Sequence, residues 1–354
     1  MVGVDIFAQL IWTGSSIGQC LQVFDSKTIA VVSGMGTVNV GNIRNAEFTL
    51  KDYSVQFSYP CKKYYSIQNA SLLWGFGLRD FYIADLKNGS IKEDLVSHNG
   101  NERIIQIDML DRDQPTVYID IAKSNWGNNI HRGLIYDLSI QKTIDTIKDF
   151  QGEIFSLQNG KLLIEKFNDD MEPATWKISD SLNGAQSENS LTKKLNELGV
   201  FVWSTSYSYA NNSMIGFNDL RDDMVFFSIF WDDNFEDVSI EPFSFQRDPD
   251  RYLWDHFEIS PDGKWAKTVS KLKKTDQRTD DITFFVVNDS FPQSLSPPVY
   301  GGRSTRDGGG CFVETDDWGT VYVDISPEAP GYLVVYKMSD VMNKVVEKMR
   351  NMGR

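Results

Sequence analysis

Short runs of β-branched and aromatic residues recur along the chain, and each is followed by a polar turn. Successive runs begin about 50 residues apart, and their first residues are Val38, Tyr82, Leu134, Thr175, Phe226, Phe284 and Tyr332. Further runs lie between them, such as TVYIDIA from Thr116 and TVYVDIS from Thr320, with the alternation typical of short strands. Asn-Gly and Asp-Gly pairs separate many of these runs, as expected for tight turns. The pattern therefore predicts several short strands in each unit.

Seven such units, each with about four strands, are the sequence signature of a β-propeller. We therefore predict an all-β fold with a single seven-bladed β-propeller, and six or eight blades are the alternatives. One domain would span residues 1–354, with the blades in residues 15–338. A blade buries both faces against its neighbours, so no blade is expected to fold alone.

Two segments carry helical patterns. Ser190–Leu198 ends at Gly199, and residues 339–354 place Val341 and Val345 on one apolar face. The second segment is predicted to be a short C-terminal amphipathic helix. Docking of this helix under the propeller is favoured over its presentation to a partner, because an exposed apolar stripe promotes aggregation.

Ring closure needs a strand that the last unit lacks. This unit offers three strand-like runs before its sequence becomes helical, and an open ring would leave two unpaired edges. The run from Asp5 to Trp12 is strand-like and has no other place in the pattern. Residues 1–14 are therefore predicted to supply the closing strand of the last blade.

One turn carries a family resemblance. The segment Ser260-Pro261-Asp262-Gly263-Lys264 lies between two strand-like runs, and proline with Asp-Gly favours a tight turn. It resembles the inter-strand turn of TolB-like and WD-repeat-like propellers, which repeat this motif in most blades, whereas this chain has it once. No recurring Gly-His and Trp-Asp pair is present. The resemblance implies a fold and no particular activity.

Charge and cysteine content restrict the partners and the compartment. The net charge of −14 argues against nucleic acid and anionic membranes, and it favours a protein partner of basic or mixed charge. No run of 18 apolar residues is present, so no membrane span is expected. Cys20, Cys61 and Cys311 fit buried thiols in a reducing compartment, with one disulfide as the alternative. Without a recognisable signal peptide, the chain is expected to be cytoplasmic.

A glycine-rich stretch at residues 301–310 is the most unusual segment. Successive backbone N–H groups and two arginines form a candidate anion-binding site, whose residues are Arg303, Arg306, Gly308, Gly309 and Gly310. The stretch lacks the ending of a phosphate-binding P-loop. The alternative is a long connection between the sixth and seventh units.

Two classes of function remain open. No catalytic motif, metal site or cofactor motif is recognisable, which favours a non-catalytic scaffold that binds a protein through loops on one face of the disc. The alternative is a carbohydrate-active or other hydrolytic enzyme with carboxylates in the central funnel. Acidic pairs such as Asp232-Asp233 are interpreted as turn residues, with calcium binding as the less favoured reading.

Overall fold

A computed structural model of the 354-residue chain describes all residues except the following ranges: 1–5, 11–17, 34, 45–46, 58–60, 62, 67–70, 78–79, 96–101, 112, 126–127, 149, 168–173, 183, 209–211, 221–222, 244–250, 254–256, 261, 273–279, 288–295, 297–298, 305–309, 327–331 and 353–354.

The strands form seven antiparallel sheets, which are the blades of a propeller. Blade 1 contains β2 (Gln19–Gln22), β3 (Thr28–Val32), β4 (Thr37–Arg44) and β5 (Glu47–Gln56). Blade 2 contains β6 (Lys63–Ser66), β7 (Leu72–Phe76), β8 (Asp80–Asp85) and β9 (Ser90–Leu95). Blade 3 contains β10 (Glu102–Asp111), β11 (Thr116–Asn125), β12 (Asn128–Asp137) and β13 (Lys142–Lys148). Blade 4 contains β14 (Gly152–Ser156), β15 (Leu162–Lys166), β16 (Thr175–Ser179) and β17 (Gln186–Ser187).

The remaining blades follow the same order. Blade 5 contains β18 (Phe201–Ser208), β19 (Ser213–Leu220), β20 (Asp223–Trp231) and β21 (Val238–Phe243). In blade 6 the first strand is split into β22 (Arg251–Leu253) and β23 (Glu258–Ile259), which both pair with β24 (Trp265–Leu272), followed by β25 (Asp280–Val286) and β26 (Val299–Ser304). Blade 7 contains β27 (Cys311–Thr315), β28 (Gly319–Ile325), β29 (Tyr332–Lys337) and the N-terminal β1 (Ile6–Leu10). The predicted seven-bladed fold is confirmed.

The N-terminal strand closes the ring as predicted. Strand β1 pairs antiparallel with β29, and Ile6 lies opposite Tyr336 while Leu10 lies opposite Tyr332. The outer edge of blade 7 is thereby covered by a strand from the other end of the chain. The first strands of blades 1 and 2, and those of blades 3 to 6 in succession, contact one another, and β2 contacts β27 where the ring closes.

The core lies between blades. One buried cluster joins blades 4 and 5, another joins blades 2 and 3, and further clusters lie at the other five blade contacts, so each sheet buries apolar side chains on both faces. Trp176 of β16 is fully buried in the first cluster and donates from Nε1 to the carbonyl oxygen of Val200 at 2.7 Å. At this position the tryptophan packs one blade against the next.

Two helices accompany the blades. Helix α1 (Ser190–Leu198) begins with a capping box between Asn189 and Thr192 and ends at Gly199, which has a left-handed φ of 60°. Helix α2 (Met338–Met352) follows β29 directly. Its side chains Val341 and Val345 are fully buried against blades 6 and 7, so the helix docks on the propeller rather than standing away from it.

The cysteines differ from the expectation of three thiols. Cys20 on β2 and Cys311 on β27 form a disulfide with a Cα–Cα distance of 5.5 Å, and Cys61 is not part of it. The thiol interpretation was wrong because the ring places the first strand of blade 1 beside the first strand of blade 7, although 291 positions separate the two residues. The argument for a reducing compartment therefore loses its basis.

The turn that carries the family resemblance lies between β23 and β24. The Ser260 side chain accepts the Trp265 N–H at 3.0 Å, the Asp262 side chain accepts the Lys264 N–H at 3.1 Å, and Gly263 has a φ of 67°. The predicted tight inter-strand turn is confirmed.

Candidate functional site

The predicted anion-binding stretch lies at the connection between blades 6 and 7. Arg303 is in β26 with its backbone opposite Asp281, and its side chain lies outside the described residues. Arg306, Gly308 and Gly309 also lie outside the described residues. The geometry of this candidate site therefore remains a prediction.

Gly310 has a packing reason to be glycine. A Cβ atom at this position would overlap Tyr322 Oη and would lie 2.7 Å from the Val323 carbonyl oxygen. Tyr322 is fully buried, so its ring has no room to move aside. The same arrangement recurs in blade 3, where a Cβ on Gly133 would overlap the ring of Tyr118. Glycine at position 310 is explained by this close approach without any ligand.

A group of polar side chains that the sequence analysis did not single out lies between blades 3 and 4. We call this group the polar seam, and it comprises Gln106, Asp108, Asp120, His131 and Glu153. A register shift between Ile104 and Gln106 in the pairing of β10 with β11 sets which β10 side chains lie beside Asp120. The polar seam thus depends on an irregularity in the first strand of blade 3.

Asp108 links the two blades of the polar seam. Its side chain accepts hydrogen bonds from Gln106 Nε2 at 2.7 Å and from the backbone N–H of Ile154 in blade 4. Gln106 Nε2 also donates to the Gly152 carbonyl oxygen at 3.2 Å. Burial, reinforced by the neighbouring carboxylate of Glu153, raises the pKa of Asp108 well above its ordinary value. The buried carboxyl therefore favours its protonated form more than an exposed aspartate does.

Asp120 and His131 form the second part of the polar seam. His131 Nδ1 lies 3.0 Å from Asp120 Oδ2, and both side chains are nearly closed off from solvent. Burial raises the pKa of Asp120, and His131 opposes that shift. Tyr118 is buried beside them, and its pKa is also raised by burial and by the charges of Asp120 and Asp108. Histidine is the most frequent general acid or base in enzymes, and here it is paired with a carboxylate in a largely buried position.

Glu165 of β15 makes the equivalent link between blades 4 and 5. Its carboxylate oxygens lie 3.3 and 3.4 Å from the backbone nitrogen of Val202, which donates to them. Burial, followed by the charge of Glu153, raises the pKa of Glu165 well above its ordinary value. The contacts of Asp108 and Glu165 indicate that these carboxyl groups connect adjacent blades through backbone hydrogen bonds.

Substitution of Glu165 tests this connection through the pH dependence of stability. Because the pKa of Glu165 is higher in the native state than in the unfolded state, proton uptake by Glu165 stabilises the fold. This stabilisation is complete below the unfolded pKa near 4.5 and is lost as the pH rises through the native pKa. We expect Glu165→Gln to flatten this decline. The unfolding free energy of the variant should therefore exceed that of wild type by an amount that grows with pH, at up to about 1.4 kcal/mol per pH unit. Urea unfolding between pH 4.5 and 9 measures this difference.

Two variants control that measurement. Glu165→Ala removes both the titrating carboxyl and the acceptor for the Val202 N–H, and it is expected to be about 1–3 kcal/mol less stable than Glu165→Gln across the whole pH range. Glu197→Gln changes an exposed glutamate of α1 and is expected to leave the wild-type curve unchanged. If Glu165→Gln kept the wild-type slope, the buried carboxyl would not control the pH dependence.

The surface of the disc carries a different kind of acidic residue. We call the face that holds the turns between the first and second, and between the third and fourth, strands of each blade the turn face. Five aspartates there each accept the backbone N–H two residues onward, and they are Asp25, Asp85, Asp111, Asp137 and Asp262. Side-chain hydrogen bonds of this kind hold tight turns in place. The acidic residues at these five positions therefore stabilise the turns in which they lie.

Blade 5 contributes the most acidic of these turns, residues 232–237. Asp232 accepts the N–H groups of Glu236 and Asp237, and Asn212 Nδ2 donates to Asp233 at 2.7 Å. Asn159 of blade 4 donates to the Asp233 carbonyl oxygen at 3.0 Å. Asp233, Glu236 and Asp237 are exposed. The turn thus presents three carboxylates on a backbone that is fixed from two sides.

The described part of the chain contains neither a metal-ligand cluster nor a membrane-spanning helix. There, no group of three or more His, Cys, Asp or Glu residues is arranged to hold a metal ion. Within the same residues, neither helix is long and apolar enough to cross a membrane.

Comparison with known proteins identifies the fold and no family. No family model and no curated protein matches the chain. The β-propeller domain of Cps50 (Swd1) from Myceliophteria thermophila is 10% identical with a TM-score of 0.55, and the match covers 93% of this chain and 99% of that one. This likeness supports the propeller resemblance at the level of fold.

Two further solved structures are similar to a comparable degree. An oligogalacturonate lyase in complex with manganese is 9% identical with a TM-score of 0.60, and the match covers 95% of this chain and 98% of that one. Hydrazine synthase from Kuenenia stuttgartiensis is 10% identical with a TM-score of 0.56, with 92% and 97% covered. At such identities the likeness concerns the fold alone, and enzymes share it with other proteins.

Proposed function

We propose that the protein is a non-catalytic binding propeller that engages a protein partner of basic or mixed charge through its turn face. The observation that carries this proposal is the fixed acidic turn at residues 232–237, which exposes three carboxylates. A rigid disc with charged turns provides a preorganised surface, so little conformational entropy is lost on binding. The net charge of −14 extends the attraction beyond this turn.

Other exposed acidic residues add to the negative charge of the turn face. They lie in blades 1, 3, 4 and 7, and they are Asp25, Asp111, Asp113, Asp180, Glu314, Asp316 and Asp317. Two of them have lysine partners, since Lys27 pairs with Asp316 and Lys161 pairs with Asp180. Among the described residues, the exposed or half-buried lysines of this face are fewer than its exposed acids, and they are Lys27, Lys87, Lys142, Lys161 and Lys264. This excess of acidic residues suits a partner whose surface is mainly basic.

Charge reversal of the acidic turn tests the proposal. The triple variant Asp233→Lys, Glu236→Lys, Asp237→Lys is compared with wild type in affinity capture from the native lysate at low and high salt. We expect a stoichiometric partner that wild type retains at low salt and releases at high salt. The triple variant should retain less than about one tenth of it, because three favourable contacts become repulsive.

A charge reversal elsewhere on the protein tests whether any loss of binding is specific to the acidic turn or follows from the change in net charge. Asp145→Lys alters an exposed aspartate on the outer strand β13, away from the turn face, and should retain the partner as wild type does. Equal capture by the triple variant and wild type would contradict the assignment of the partner to the turn face.

The alternative function is a carbohydrate-active or other hydrolytic enzyme. The observation that favours it is the Asp120–His131 pair, whose separation of 3.0 Å suits general acid–base chemistry. A panel of oligosaccharides tests it by product release, which Asp120→Asn should abolish if the pair is catalytic. Hydrolysis that Asp120→Asn abolished would replace the scaffold proposal.

A further inference from the structure

Blades 1 and 7 meet where the ring closes, and a disulfide and hydrogen bonds join them there in addition to the strand pairing of β1. Cys20 and Cys311, in the first strands of blades 1 and 7, are joined by the disulfide and are 1% and 8% exposed. Close by, the Glu314 N–H donates to the Ser26 carbonyl oxygen at 2.9 Å, and Ser26 Oγ donates to Glu314 at 2.8 Å. We call this contact between blades 1 and 7 the closing seam.

An ion pair and an apolar cluster complete the closing seam. Lys27 of blade 1 pairs with Asp316 of blade 7, and both side chains are largely exposed. Beneath them Ile29 and Val31 of blade 1 pack in one buried cluster with Val323 of blade 7. The surface pair contributes little in water, so the disulfide and the apolar cluster carry most of the cohesion.

The closing seam differs from the other seams in its covalent connection. Other neighbouring blades follow one another along the chain, whereas blade 7 is completed by β1 through non-covalent pairing with β29. Without the disulfide, only non-covalent contacts hold the first blade against the last once β1 dissociates. With it, a covalent loop with a sequence separation of 291 encloses the ring and holds the inner strands together even when β1 detaches.

We propose that the Cys20–Cys311 disulfide is a redox-sensitive lock on the closing seam, and that a dithiol reductant opens this seam while the other seams stay packed. In the reaction the S–S bond breaks and each cysteine sulfur gains a proton. Two electrons and two protons come from the dithiol, which becomes a cyclic disulfide. Because both sulfurs are buried, reduction of the native protein requires a local opening and is slow.

Thiol counting tests the lock first. In denaturant without reductant the full chain should release one thiol, that of Cys61, and three after dithiothreitol. Three thiols before reduction would overturn the proposal. The Cys61→Ser variant should then show none before reduction and two after it, which assigns the remaining pair to Cys20 and Cys311.

Hydrogen exchange tests whether the opening is local. After reduction we expect amides of β2, β3, β27 and β28 to exchange at least about tenfold faster, while those of β14 and β15 in blade 4 keep their oxidised rates. The double variant Cys20→Ser, Cys311→Ser should reproduce the reduced pattern and no longer respond to dithiothreitol, whereas Cys61→Ser should still respond. Unchanged exchange at the closing seam, or equal acceleration in blade 4, would overturn a local lock.

Discussion

Deletion of residues 1–14 is expected to lower the melting temperature by about 4–8 °C, because it removes the strand that closes blade 7. Strand β1 contributes five residue pairs to the ladder with β29. At about 1 kcal/mol for each backbone hydrogen bond, loss of this ladder costs about 3–6 kcal/mol. Differential scanning calorimetry of the truncated and full chains measures the change.

A peptide added in trans separates strand pairing from other effects of truncation. A synthetic peptide of residues 1–14 should restore most of the lost melting temperature in a concentration-dependent way, because it binds the native state preferentially. A scrambled peptide of the same composition should not. A truncated chain that melts like the full chain, or one that neither peptide restores, would contradict the closing role of β1.

The architecture was accessible from the sequence because propeller blades repeat. The runs TVYIDIA and TVYVDIS became β11 and β28, which are the second strands of blades 3 and 7. The closing strand was predicted for a related reason, since a ring must cover the edge that its last blade leaves open. Repetition and closure are properties of the whole chain, so they can be recognised even though the spacing of the units is irregular.

The buried carboxyl groups were not accessible in the same way. Asp120 and Glu165 are polar residues within apolar strands, a pattern that ordinarily indicates a solvent-facing position. In a propeller both faces of most blades are covered, so the polar position of the alternation also becomes buried. An acidic residue inside an otherwise apolar strand was the available signal, as in LLIEK of β15.

The disulfide and Gly310 show two further limits of sequence reasoning. Cys20 and Cys311 lie far apart in the chain, and only the circular order of the blades brings them together. Gly310 drew attention as part of a glycine-rich stretch, yet the close approach of Tyr322 accounts for it. Spacing along a chain does not reveal contacts of either kind. The disulfide depends on how blades 1 and 7 meet, and the approach of Gly310 to Tyr322 depends on how two paired strands of blade 7 pack.

Gly152 gives the second prediction of large effect, because it lies where blades 3 and 4 meet. A Cβ atom at this position would overlap the backbone carbonyl oxygen of Glu165 on the paired strand β15. The Gly152 carbonyl oxygen also accepts a hydrogen bond from Gln106 of blade 3. Since a paired strand cannot move aside as a flexible side chain does, β14 would have to shift away from both neighbours.

We therefore expect Gly152→Ala to lower the free energy of unfolding by about 3 kcal/mol or more, measured by urea denaturation. Gly160→Ala in the same blade is the matched control, because Gly160 has a φ of 75° and no heavy atom within 4 Å of an added Cβ. That variant isolates backbone strain and should cost about 1 kcal/mol. Equal losses in the two variants would mean that the approach of β14 to β15 does not require glycine. Gly152 would then be needed only for its positive backbone φ angle.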